Sequence, residues 1–106
     1  MMSTREQYFS LGLNHFAKME SDEAISAFKK AIDVDANFAD AYLGLAQAYD
    51  QKGMLDDAIT TIKRAIELNP QEPLNHTSLS VFYRKKGMIP EAEAEIAQAM
   101  ELQRGS

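Results

Sequence analysis

Residues 42–70 read YLGLAQAYDQKGMLDDAITTIKRAIELNP, and their pattern of apolar residues predicts the fold. Before Gly53, the residues Tyr42, Leu45 and Tyr49 recur at intervals of three and four, which is the spacing of one face of an α-helix. After Gly53 the apolar residues resume the same spacing up to the end of the stretch. The stretch therefore predicts two amphipathic helices joined by a short turn.

The same pattern occurs three times along the 106-residue chain, at an interval of 34 residues. In each unit a leucine, a small residue, two alanines and a large apolar residue return at matching places. Repetition of this length is typical of helical repeat proteins, in which each unit buries its apolar face against its neighbours. The matching columns are Leu11, Leu45 and Leu79; Gly12, Ala46 and Ser80; Ala24, Ala58 and Ala92; Phe28, Ile62 and Ile96; and Ala31, Ala65 and Ala99.

The period predicts one all-α domain over residues 1–106, a solenoid of three helix–turn–helix units. The units are expected at about 5–38, 39–72 and 73–106. The first helix of each unit is expected over about 5–18, 39–52 and 73–86, and the second over about 22–35, 56–69 and 90–103. Ser3 with Glu6 predicts a capping box at the start of the first helix. Gly53 and Gly87 stand where a helix ends and a positive φ is expected.

The bulk composition excludes several classes of function. Eleven basic and sixteen acidic residues give a net charge of −5, which disfavours a nucleic-acid partner. The absence of cysteine excludes disulfides, thiol nucleophiles and thiolate metal sites. No apolar run approaches the roughly 18 residues of a membrane span, and the N-terminus has no signal-peptide hydrophobic region. We therefore expect a cytoplasmic protein without a membrane span.

Residues that carry chemistry elsewhere have simpler explanations here. His15 and His76 lie in columns that other units fill with rings, so packed histidines are expected and not metal ligands. Acidic pairs such as Asp56 and Asp57 stand at the starts of second helices, where they complement the helix dipole. No phosphate loop or nucleophile motif is present. We expect no enzyme, no catalytic residue, no metal and no cofactor.

The columns resemble those of the tetratricopeptide repeat: a ring, Leu, a small residue and Tyr, then Gly, Ala, a large apolar residue, Ala and often Pro. The second unit fits best, while the first departs at Met19 and Ala36 and the third at His76 and Arg104. The resemblance spans essentially the whole chain. It implies a right-handed superhelix whose first helices line a concave groove, and a protein-interaction scaffold or adaptor that binds a protein or peptide partner.

One variant of that family can be tested residue by residue. Many chaperone-binding members hold a peptide's C-terminal carboxylate in a clamp of lysine, asparagine and arginine on the first helices. The matching positions here are Phe9, Leu13, Gly44, Leu74 and Ser78. None of them is basic or an amide, so the resemblance does not extend to this clamp.

The groove positions implied by the resemblance form an apolar stripe with polar groups at one edge. We expect this surface to bind a helix or an extended peptide through two or three apolar anchors. Arg84 and Lys85 would meet an acidic group, and Gln47 would bond to the partner's backbone. The predicted peptide-binding residues are Phe9, Leu13, Phe16, Leu43, Gln47, Asp50, Leu74, Ser78, Val81, Arg84 and Lys85.

A simpler interpretation of the same stripe stays open. Phe9, Leu13 and Phe16 would then pack on one another or lie under N-terminal residues. Asp50 and Arg84, which lie one unit apart, would pair only with each other, and an exposed pair of that kind contributes little to stability.

The outer faces of the first and last units are more polar than the joints between units. Gln7 and Asn14 stand where the second unit has Ala41 and Ala48, and Glu93 stands where earlier units have isoleucine. Polar ends favour a stand-alone, monomeric domain. The last helix nevertheless keeps apolar residues. The alternative is therefore a self-assembling module that uses this helix as a homo-oligomer contact.

Overall fold

A computed structural model describes residues 2–105, which form six α-helices without a strand. They are α1 (Thr4–Ala17), α2 (Ser21–Val34), α3 (Ala39–Lys52), α4 (Leu55–Leu68), α5 (Pro73–Lys85) and α6 (Ile89–Gly105). The bounds of α3 are those predicted, and the other helices begin and end within two residues of the prediction. The all-α class is confirmed as a right-handed α-solenoid of three helix–turn–helix units. The domain limits, residues 1 and 106, lie outside the described residues and stay a prediction.

The helices stack in chain order. α1 packs on α2, α3 on α4 and α5 on α6, while α2–α3 and α4–α5 form the joints between pairs. In addition α1 touches α3 and α3 touches α5. The helices α1, α3 and α5, called the first helices below, therefore form one layer, and α2, α4 and α6 form the other.

Fully buried alanines set the distance between paired helices. Ala58 on α4 and Ala46 on α3 are both 0% exposed, and they belong to the core cluster of the second joint together with Ile62, Leu79 and Phe82. Small side chains at a crossing point let two helix axes approach closely while larger residues interlock around them. The repeated alanine columns therefore determine how tightly each pair closes.

The first joint is built around the ring of Phe28, which is 0% exposed. A Cβ placed on Gly12 of α1 would lie 2.6 Å from Phe28 Cε1, and a Cβ placed on Gly44 of α3 would lie 2.6 Å from the same atom. Real Cβ atoms do not approach a ring carbon so closely. The missing side chains of these two glycines therefore create the slot in which the ring of Phe28 lies.

The helix ends behave as expected for this sequence. The capping box is confirmed: the Glu6 N–H donates to the Ser3 hydroxyl at 3.4 Å, and the Ser3 N–H donates to Glu6 Oε1 at 3.2 Å. The Ser3 hydroxyl also donates to Glu6 Oε1 at 2.7 Å, which lowers the pKa of the Glu6 carboxyl. Gly53 and Gly87 adopt φ values of 88° and 80° at the ends of α3 and α5. Met19 adopts φ 64° at the equivalent turn after α1, although it carries a side chain.

Candidate functional site

A concavity of about 430 Å³ opens on the layer of the first helices. Ligand pockets in proteins commonly have volumes of about 300–1,000 Å³, so the space suffices for one or two side chains of a partner. Its lining comes from all three first helices: Phe16 of α1, Gln47, Asp50 and Gln51 of α3, and Ser78, Val81 and Phe82 of α5.

The apolar part of the lining is anchored in the core. Phe82 is 2% exposed and belongs to the cluster of the second joint, against which the half-buried Val81 also packs. The half-buried Phe16 packs on the cluster of the first joint, near Leu45. Because these side chains are held by the protein interior, the concavity has a preformed apolar floor.

Charged groups at its edge are joined in an ion pair. Lys85 Nζ donates to both carboxylate oxygens of Asp50, at 2.9 Å each, and the Asp50 side chain is 19% exposed. The suggested pairing of Asp50 with Arg84 is therefore wrong. Successive residues on a helix point about 100° apart, so only one of the two basic side chains can face α3. Arg84 stays exposed.

Two glutamines of α3 behave differently. Gln51 is fixed: its Oε1 accepts from the Ser21 hydroxyl at 2.6 Å, and its Nε2 donates to the Phe16 carbonyl at 3.1 Å. Gln51 thereby ties the turn between α1 and α2 to α3. Gln47 lies one turn earlier and is half-buried, and its side chain makes no hydrogen bond within residues 2–105. Its amide can therefore still donate to and accept from a partner in the concavity.

The concavity contains part of the predicted residue set and adds to it. The predicted residues in its lining are Phe16, Gln47, Asp50, Ser78 and Val81. The sequence did not single out Gln51 and Phe82. The repeat register contains a signal for Gln51, because it lies one period before Lys85, which was predicted. Phe82 matches Ala48, a joint position, so nothing in the pattern marks it as a lining residue.

The remaining predicted residues lie elsewhere on the first helices. Leu13 and Leu74 are 45% and 48% exposed and do not line the concavity. Leu43 is half-buried and packs on the cluster of the second joint. Phe9 packs on two core rings, with centroid distances of 5.8 Å to Phe28 and 5.2 Å to Phe38.

Comparisons with known proteins agree with this architecture. The family model described as Tetratricopeptide repeat matches residues 20–79. No curated protein sequence shows a significant match. A crystal structure of MamA is 32% identical over 95% of this chain and 59% of its own, with a TM-score of 0.91. The Yersinia enterocolitica type III secretion chaperone SycD, in complex with a peptide of the translocator YopD, is 25% identical over 96% of this chain and 78% of its own, with a TM-score of 0.90.

The extent of these matches defines what the chain shares with its relatives. It spans about three fifths of the MamA chain, so the whole of that protein is not represented here. Over residues 2–105, none of the helices combines the length and apolar character needed to cross a membrane. The family model covers more than half of the chain, and six helices pair as three repeats in phase with the 34-residue period. The chain therefore belongs to the tetratricopeptide repeat family.

Proposed function

We propose that this chain is a protein-interaction scaffold that binds a peptide or a helix on the concave face of the first helices, without the carboxylate clamp. The observation that carries this proposal is the concavity lined jointly by α1, α3 and α5, with an apolar floor and polar groups at its edge. The peptide complex of SycD supports a peptide partner for a fold of this kind. A scaffold of this type needs no catalytic residue and no cofactor.

The lining indicates how a partner would be held. One apolar side chain of the partner lies against Phe16 and Val81, and burying a residue of leucine size contributes about 1.5–3 kcal/mol. The Gln47 amide bonds to the partner's backbone, so that this amide stays paired when the partner covers it. An acidic side chain of the partner pairs with Arg84, which is exposed on α5 outside the lining of the concavity, while the neighbouring Lys85 is paired with Asp50.

The binding surface extends beyond the concavity along α1. Leu13 and Phe16 are three residues apart and therefore lie on the same face of that helix. Leu13 is 45% exposed, which leaves it available as a second apolar contact. Leu74, at 48% exposure on α5, offers a third contact beyond the concavity. Two or three apolar anchors suit a helix or an extended peptide.

A matched pair of substitutions tests this function. Peptides are selected from a displayed random library on the unmodified chain, and their affinities are then measured by fluorescence polarisation. We expect Leu13→Asp and Gln47→Arg each to weaken binding at least tenfold, since they place a charge on the groove or fill it. The control is Leu11→Asp on the same helix. Leu11 has nearly the same exposure, 44%, but points about 200° away from Leu13.

The affinities of the three variants show whether the concave face is the binding surface. Circular dichroism first establishes that each variant is folded. If folded Leu13→Asp and Gln47→Arg variants keep the wild-type affinity for the selected peptides, or if Leu11→Asp abolishes binding instead, the concave face is not the binding surface.

A second candidate function is self-assembly through α6. Met100 and Ile89 on this helix are 59% and 45% exposed, which is high for large apolar side chains. Exposed apolar side chains of this size occur singly on many soluble proteins, so they support this candidate less strongly than the concavity supports the first.

A further inference from the structure

The outer face of α1 is defined by Gln7, Leu11, Asn14 and Lys18. These residues match the positions that contact the preceding helix at the internal joints, but no helix packs against them within the described residues. Leu11 belongs to the column of Leu45 and Leu79, which are 6% and 2% exposed because α2 and α4 pack against them. Leu11 is 44% exposed. The leucine that is buried at both internal joints is therefore present on α1 without a helix to cover it.

An ion pair also recurs at equivalent positions of the two internal joints. At the first joint Lys52 Nζ lies 2.5 Å from Asp22 Oδ1, and at the second joint Lys86 pairs with Asp56. In each case the lysine at the end of a first helix meets an acid in the first turn of the preceding second helix. Lys18 is the equivalent lysine on α1, and it has no ion-pair partner within residues 2–105. The outer face of α1 thus offers a cation as well as a leucine.

The opposite end of the solenoid carries the complementary surface, the outer face of α6, defined by Glu91, Glu93, Ile96 and Met100. Ile96 matches Phe28 and Ile62, which cover Leu45 and Leu79 at the internal joints. Ile96 is only half-buried and Met100 is 59% exposed, because no helix packs on this side of α6 within the described residues.

The polar substitutions at the two ends match each other. Asn14 stands where internal joints have Ala48 and Phe82, and Glu93 stands where they have isoleucine, in the same clusters. If α6 of one copy packed on α1 of another as at an internal joint, the Asn14 amide would face the Glu93 carboxylate. A polar group would then meet a polar group, and neither would be buried against an apolar surface.

The charges on the two outer faces are also complementary. Pro90 replaces the aspartate of the earlier second helices, but Glu91 follows it in the first turn of α6, and both Glu91 and Glu93 are exposed. Lys18 of a second copy would approach this acidic turn as Lys52 approaches Asp22. The two outer faces are therefore complementary in apolar contact, hydrogen bonding and charge.

From these columns we infer that the outer face of α6 binds the outer face of α1 of a second copy of this chain, head to tail, in the geometry of an internal joint. The contact is heterologous, since two different faces meet, and it repeats without closing into a dimer. As at an internal joint, α1 of one copy packs mainly on α6 of the next and makes a smaller contact with its α5. Such an interface is smaller than that of a stable dimer, so the association is weak. The concave face stays open in such a stack.

Sedimentation velocity on the full chain tests the contact, over about 10 µM to 2 mM, the range that suits a weak interface. We expect the mean mass to rise steadily with concentration. Leu11→Asp and Met100→Asp should each shift the association to at least tenfold higher concentration, and so should Glu93→Lys, which keeps the helix and changes only the charge. Leu13→Asp, the variant that tests the groove, should associate like the unmodified chain. Self-association and peptide binding are thereby separated.

Mixing the two blocked chains distinguishes head-to-tail contact from a symmetric α6 dimer. The Leu11→Asp chain keeps an intact α6 face and the Met100→Asp chain keeps an intact α1 face, so an equimolar mixture should form a heterodimer of twice the monomer mass and nothing larger. A Leu11→Asp chain that still dimerises by itself overturns the inference. So does an unmodified chain that stays monomeric throughout, or a mixture in which no heterodimer forms.

Discussion

At the scale of single residues, the first joint depends on a match of volumes between Phe28 and two glycines. Phe28 fills the slot that the bare Cα atoms of Gly12 and Gly44 leave open. One period later the large residue is Ile62, which is smaller, and the residues that match the glycines are Ala46 and Ser78. The joint with the larger ring, Phe28, thus has glycines opposite it, and the joint with the smaller Ile62 has larger residues there, as close packing of an interior requires.

This volume match makes a prediction for Gly44→Ala. The new methyl group would lie 2.6 Å from Phe28 Cε1, and overpacking of this kind costs about 1–3 kcal/mol. Replacing a glycine within a helix gains up to about 1 kcal/mol, so a net loss in the free energy of unfolding is expected in urea denaturation. In a Phe28→Leu background the same change should become neutral or stabilising.

Gly105 provides the matched control, because a Cβ there would meet nothing within 4 Å. Gly105→Ala should leave stability unchanged or raise it slightly. A Gly44→Ala chain as stable as the unmodified protein, with no coupling to Phe28→Leu, would show that the slot is not tightly filled.

At the scale of the helical elements, the turns that end α1, α3 and α5 are the same turn built from different residues. Gly53 and Gly87 adopt positive φ at no steric cost, whereas Met19 adopts φ 64° with a side chain attached. The same backbone hydrogen bond closes all three turns, from Glu20 N–H to the His15 carbonyl in the first and at the equivalent positions in the others, and it holds Met19 in this conformation. Gln51 contributes by donating to the Phe16 carbonyl just before the turn.

Met19→Gly should therefore stabilise the protein. The left-handed conformation costs an L-residue about 1–2 kcal/mol, and glycine removes this cost. The greater freedom of glycine in the unfolded chain offsets about 0.4–1 kcal/mol of the stabilisation. We expect an increase of about 0.5–1 kcal/mol in the free energy of unfolding. Met19→Ala is the control, since it also removes the side chain but keeps the strain, and it should give no such increase. Equal stabilisation by both changes would point to the exposed Met19 side chain, not to its backbone.

At the scale of the whole molecule, each unit is stabilised by its neighbours, so equivalent positions contribute unequally. Ile62 and Ile96 are the same residue at the same place in successive units. Ile62 is 0% exposed and lies in the cluster that joins the second unit to the third, whereas Ile96 has no further helix beyond it within the described residues. Stability in such arrays is a sum of unit terms and joint terms.

Ile62→Ala should cost about 2–5 kcal/mol, the range for a fully buried aliphatic residue that leaves a cavity. Ile96→Ala should cost less than about 2 kcal/mol, because its site is already partly open to water. Hydrogen exchange would further show Ile62→Ala lowering protection on both sides of the second joint. Equal losses at the two sites would contradict the assignment of the extra stability to the joint.

The family, the number of helices and the helix ends to within two residues follow from the sequence alone, because a 34-residue period and helical spacing can be recognised along the chain. Together with the resemblance to the tetratricopeptide repeat, it also assigned Phe16, Gln47 and Val81 of three different helices to one surface.

The composition of that surface depends on contacts between helices that are distant in the sequence. Packing between helices places Phe9 against Phe28 and Phe38. It makes Lys85, and not Arg84, the partner of Asp50. It also leaves Leu11 exposed while its equivalents in the other units are buried. Each of these outcomes depends on distances between side chains that are about 20–35 residues apart in the chain. Such distances follow from how closely the helices approach one another, and they cannot be predicted from periodicity along the chain.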